Sequence, residues 1–127
     1  MFFRQLFEHE SSTYTYLLAD EKTKEAILID PVLETVERDK NLISELGFDL
    51  KYILETHVHA DHITGSFNLK KHFPNAKSVV HKDGGTECTD VLISDNDVLE
   101  FGTYKVKVIS TPGHTNGCVS FYLDGMV

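Results

Sequence analysis

Apolar residues recur along the chain at two spacings, and the switches between them mark out its elements. Phe2 to Phe7 and Thr13 to Ala19, rich in Phe, Tyr, Thr and Leu, predict two strands. The polar stretch Asp20-Glu21-Lys22-Thr23-Lys24 turns the chain. Glu25 to Asp30 is a short apolar run that fits a strand buried on both faces, and Pro31 ends it because proline cannot donate to a ladder. From Thr35 to Leu46 the period becomes helical, with Leu42, Ile43 and Leu46 on one face. Thr35 stands at the N-cap position, and Gly47 suits the left-handed residue after the last turn.

Leu50 to Thr56 predicts another strand. A second helix is expected from Thr64 to Phe73, with Phe67 four residues after Ile63 and Pro74 closing it. Ala76 to His81 returns to strand. Lys82 to Asp97 is polar and reads as loop. Val98 to Phe101 and Tyr104 to Ser110 predict a hairpin turning at Gly102-Thr103, and Cys118 to Leu123 a last strand before a turn at Asp124-Gly125. Strands at both ends with βα units between them imply a mixed sheet covered by helices, in one domain spanning residues 1–127.

Composition narrows the classes of function. The 127 residues are 41% hydrophobic and 25% charged, which is globular rather than disordered. A formal net charge of −8 lacks the basic footprint of a nucleic-acid binder and does not suit an anionic membrane surface. No apolar run approaches the roughly 18 residues that span a bilayer. The first residues lack a signal-peptide layout, so a cytoplasmic location is expected, with an organelle as the alternative. Cys88 and Cys118 form no metal-binding spacing and read as reduced thiols.

Seven histidines are unusual for this length, and four of them fall in two motifs. Thr56-His57-Val58-His59-Ala60-Asp61-His62 follows a strand. His57 and His59, two residues apart in extended chain, point the same way, and Asp61 and His62 come next in the loop. Imidazole and carboxylate are the ligand types for zinc and non-haem iron. Scattered surface histidines explain this cluster poorly, because gathering so many titratable groups costs several kcal/mol unless something binds them. The second motif, Ser110-Thr111-Pro112-Gly113-His114-Thr115, aims His114 from a strand end through a tight turn. His9, His72 and His81 have no such context. His72 lies in a lysine-rich helix tail and is expected in solvent.

Together the two motifs resemble the signature of the metallo-β-lactamase superfamily, and the resemblance covers the whole chain. It implies an α+β fold, the αββα sandwich, of which residues 1–127 would hold the N-terminal half and the start of the second, cut short at the C-terminus. Within the superfamily, Phe3 to Phe7, Thr13 to Leu18, Ala26 to Val32, Glu34 to Asp39 and above all Thr56 to Ser66 are similar to the persulfide dioxygenase branch.

That branch implies mononuclear Fe(II), held by His57, His114 and an aspartate beyond Val127, with His59, Asp61 and His62 as supporting groups or an unused second metal site. The implied reaction joins a glutathione persulfide with O₂ and releases sulfite, and the implied assembly is a homodimer. Glyoxalase II proteins share the His-x-His-x-Asp-His core and give the rival reading, a thioester hydrolase. Its first Zn²⁺ would sit on His57, His59 and His114, and its second on Asp61 and His62. They usually carry a bulky aromatic where Ala60 stands. A third reading is an inactive metal-binding fragment lacking its carboxylate ligand.

Overall fold

The computed structural model describes residues 1–8, 13–56, 67–81, 91–93, 96–110 and 119–124. Two sheets pack face to face. The larger has six strands in spatial order β1 (Phe2–Glu8), β2 (Thr13–Ala19), β3 (Glu25–Ile29), β4 (Asp49–Leu54), β5 (Lys77–His81) and β6 (Val91–Ile93). The smaller is β7 (Val98–Phe101), β8 (Tyr104–Ser110) and β9 (Val119–Asp124). Antiparallel pairing joins β1, β2 and β3, whereas β3 to β6 run parallel, so the larger sheet is mixed as the pattern implied.

A 3-10 turn (Leu33–Thr35) and helix α1 (Val36–Leu46) carry the chain from β3 to β4. The helix begins at Val36 with Thr35 at the N-cap position, but Thr35 does not cap it with its side chain. Its hydroxyl donates instead to the Val32 carbonyl at 3.3 Å, closing the 3-10 turn. Gly47 takes the expected left-handed conformation at φ 70°, and the Phe48 N–H returns to the Ile43 carbonyl. Residues 67–72 form a second helical segment, α2. Phe67 does not face the core there. It is 50% exposed with Lys71 over its ring, while Leu69 is fully buried.

The alternation of strand residues sorts the core into two layers. Leu17, Ala19, Ala26, Leu28, Leu50 and Ile53 face α1 and α2, where they meet Ile43 and Leu69. Leu18, Ile27, Ile29 and Leu54 face the smaller sheet, where they meet Phe101, Val106 and Val108. Strand β3 is therefore buried on both sides, which accounts for its unbroken apolar run. Helix layer, sheet and sheet are three of the four layers of an αββα sandwich.

Several elements depart from the sequence pattern. Strand β6 lies in the stretch read as loop, because three residues are too few to show a period. It is held by parallel pairing to β5. Strand β4 leaves the ladder at Leu54, although the Glu55 N–H still reaches the Val79 carbonyl at 3.1 Å. Strand β9 is displaced by one residue and ends on Asp124, opposite Lys105.

A carboxylate staples the two sheets at one end. Asp20, in the β2–β3 turn, accepts from the Thr103 N–H at 2.9 Å and the Thr103 hydroxyl at 3.0 Å, and from the Lys22 N–H at 2.9 Å. The Gly102 N–H donates to Glu25 Oε1 at 2.6 Å in the same corner. The β7–β8 turn is thus tied to the β2–β3 turn, 83 residues upstream.

Helix α1 carries a carboxylate of the opposite kind. Asp39 is fully buried, and Arg38 Nε donates to its Oδ1 at 3.1 Å while Arg38 Nη1 donates to the Phe7 carbonyl at 2.7 Å. Burial raises the Asp39 carboxyl to about 6, and the charge and hydrogen bond of Arg38 only partly oppose it. The native state then binds the extra proton between the unfolded value near 3.8 and about 6, so stability falls as pH rises across that window. We expect this slope, worth at most roughly 3 kcal/mol, in denaturant titrations at pH 4 to 7. Asp39→Asn should flatten it, and an unchanged slope would assign it to another group.

Candidate metal centre

The parallel run from β3 to β6 delivers four strand C-termini to one end of the larger sheet, the end at which open α/β sheets hold their ligands. Strand β8 starts at the Asp20 corner and runs the length of the sandwich, so Ser110 leaves it at that same end. The two segments that carry the histidine motifs, after Thr56 and after Ser110, therefore both depart from strands at one end.

Asp30 prepares this end. It lies one residue past β3 and turns left-handed at φ 57°, unusual outside glycine but tolerated by Asp, whose short polar side chain bonds locally. Its N–H donates to the Leu54 carbonyl at 2.8 Å, which keeps β3 against β4 past the ladder. Its carbonyl accepts from the buried Thr15 hydroxyl at 2.9 Å, which adds β2 to the same corner. The carboxylate reaches across to Thr56, accepting the backbone N–H on Oδ1 at 2.7 Å and the hydroxyl on Oδ2. Both oxygens thus grip the last described residue before His57. Next to it, Glu55 is 2% exposed and its backbone N–H is bonded to Val79 on β5.

Residues His57, His59, Asp61, His62 and His114 lie outside the described residues, as do Cys88 and Cys118. Among the described residues no group of three or more His, Cys, Asp and Glu side chains gathers in a metal-binding cluster. His72 is exposed at the end of α2, as its sequence context indicated. Sequence reading missed the part played by Asp30, which it took as the last residue of a strand within the matching stretch Ala26 to Val32. The Asp-Pro step after a buried run was the available signal, and only the register of β3 on β4 shows that the carboxylate meets Thr56.

Residues 10–127 match the family model of the metallo-beta-lactamase superfamily. The chain belongs to this superfamily. Its metallo-β-lactamase fold is shared with the crystal structure of ETHE1 from Myxococcus xanthus, at a TM-score of 0.89 and 46% identity over 97% of this chain and 54% of that one. Among curated relatives, persulfide dioxygenase ETHE1, mitochondrial, of Bos taurus is 50% identical over 121 residues, 95% of this chain and 47% of the relative. A hydroxyacylglutathione hydrolase of Crocosphaera subtropica is 33% identical over 114 residues, 88% of this chain and 44% of the relative. The chain thus spans about half the length of the curated relatives it matches. Membership of the metallo-β-lactamase superfamily implies a metal cofactor, and the donor set after Thr56 fits one. Three imidazoles and a carboxylate within six residues follow a strand end whose backbone is pinned. No helix among the described residues is long and apolar enough to cross a membrane.

Proposed function

We propose that the protein carrying this chain is an iron-dependent persulfide dioxygenase acting on glutathione persulfide, and that residues 1–127 form part of one metallo-β-lactamase-like domain. The observation that carries the proposal is the 50% identity to the bovine persulfide dioxygenase across nearly the whole chain, against 33% to a hydroxyacylglutathione hydrolase.

In this reading His57 and His114 hold Fe(II) with an aspartate supplied from further along the protein, and His59, Asp61 and His62 orient those ligands. Iron, when bound, would offer the coordination positions at which a persulfide sulfur and dioxygen meet. The overall change balances as persulfide, dioxygen and water giving thiol, sulfite and two protons. The terminal sulfur is oxidised and dioxygen is reduced.

The chain's own contribution is positioning. Asp30 holds Thr56 by its backbone N–H and by its side-chain hydroxyl, so the His57 segment starts from a fixed place. The stacked layers at Leu54, Ile29 and Val108 close the sheet interface beneath that point with apolar side chains, which excludes water from below.

The glyoxalase II-like reading draws on the hydrolase relative and makes a different metal demand. Anaerobic purification at natural length followed by elemental analysis separates the two. About one iron per chain, with O₂ uptake on glutathione persulfide, is the expected result. Two zincs per chain with thioester cleavage would replace the dioxygenase reading by the hydrolase.

A further inference from the structure

The face of β1 and β2 that looks toward the smaller sheet carries an aromatic ladder extending beyond the cover of that sheet. Phe3 stacks on Tyr16 with ring centroids 6.0 Å apart, and Phe7 on Tyr14 at 4.9 Å. Gln5 Nε2 donates to the Tyr16 hydroxyl at 3.3 Å between them. Tyr16 is packed against the buried layer between the sheets, but Tyr14 is 47% exposed.

The register places Tyr14 relative to the candidate centre. Tyr16, Ile29 and Leu54 form the last row shared by β2, β3 and β4. Tyr14 lies two residues beyond that row on β2, and Thr56 two residues beyond it on β4, at the same end of the sheet. Two strand spacings separate them, about 10 Å. The neighbour of Tyr14, Thr15, donates to the carbonyl of the very Asp30 that grips Thr56. An exposed phenol, braced from behind by Phe7, therefore stands beside the point where the His57 segment begins. An aromatic ring with a polar tip suits a surface that is apolar on one side and wet on the other.

We infer that Tyr14, supported by Phe7, contacts the carrier part of the thiol substrate, the peptide portion of a glutathione-type persulfide, and so sets specificity from outside the metal ligands. This rests on the dioxygenase reading for the identity of the substrate. The ring faces the aliphatic and amide groups of the carrier, and the hydroxyl donates a hydrogen bond to one of its carbonyl or carboxylate oxygens.

The test uses the protein at natural length with Tyr14→Ala and Tyr14→Phe. KM for glutathione persulfide should rise roughly five- to tenfold in Tyr14→Ala and less in Tyr14→Phe, with kcat and iron content within twofold of wild type. A small alkyl persulfide without the peptide should show the same KM in all three proteins. Equal KM values for glutathione persulfide, or a parallel loss with both substrates, would overturn the contact. Calorimetric titration with glutathione keeps the two readings apart. Weaker binding by Tyr14→Ala in a protein that consumes no persulfide would leave the contact standing and overturn the dioxygenase. Tyr14→Phe retains the ring packing, so it keeps the comparison available if Tyr14→Ala folds poorly.

Discussion

Asp30→Ala, in the protein at natural length, is expected to lose metal affinity by roughly 10- to 100-fold, the range typical of groups that orient ligands without binding the metal. The carboxylate accepts both the N–H and the hydroxyl of Thr56, so its removal frees the strand end from which the His57 segment departs. Two part-buried donors would also lose their acceptor. Asp30→Asn keeps an acceptor oxygen for the Thr56 N–H and can donate its amide to the Thr56 hydroxyl, so it should fall between the alanine variant and wild type. Thr56→Val removes only the hydroxyl contact and should fall nearer wild type. Equilibrium titration with a metal buffer, with far-UV circular dichroism to show the fold intact, checks the series. Wild-type affinity in folded Asp30→Ala would mean that the histidine segment is positioned without this clamp.

The clamp also shows where sequence legibility ends. The apolar run Glu25–Ile29 revealed a strand buried on both faces because burial on both sides removes polar residues from both alternations. Gly47 revealed a helix end because only a few residue types accept its φ. Gly102-Thr103 revealed the hairpin for the same reason, and β7 and β8 begin and end as read. These are local signals.

Asp30 and Thr56 are 26 residues apart, and nothing in either neighbourhood says that a left-handed aspartate will reach across to the next parallel strand. Strand β6 was hidden because it exists through its pairing with β5 rather than through its own three residues. The buried face of α2 was not read, because it is set by Leu69 and a single four-residue spacing cannot fix a helix face. The candidate metal ligands were offered by the sequence as residue types in two motifs, and they lie outside the described residues. The shared departure of their flanking strands from one end is a property of topology, carried by parallel pairing from β3 to β6 and by the run of β8 away from the Asp20 corner.

That corner gives the second large effect, Gly102→Ala. Gly102 sits at φ 57°, where an L side chain costs about 1–2 kcal/mol. An added methyl would also lie 2.5 Å from Asp20 Cβ and 2.6 Å from Thr23 Oγ1, and in closer contact still with Asp20 Oδ2. Asp20 cannot simply swing away, because its carboxylate holds Thr103, Lys22 and Thr23. Overpacking of this kind costs a further 1–3 kcal/mol. The expected total of about 2–5 kcal/mol should lower Tm by roughly 10 °C or more, read by calorimetry.

The corner should also announce itself in pH dependence. The Thr103 N–H first, then the Lys22 N–H, hold the Asp20 carboxyl down to about 2. A group depressed on folding stabilises above its unfolded value near 3.8 and loses that contribution as pH falls toward 2. Gly102→Ala pushes the carboxylate off these donors, so its Tm deficit should narrow from pH 5 to pH 2.5 as the wild type loses the same bonds to protonation. A deficit of constant size over that range would confine the damage to the strained turn and leave the staple intact.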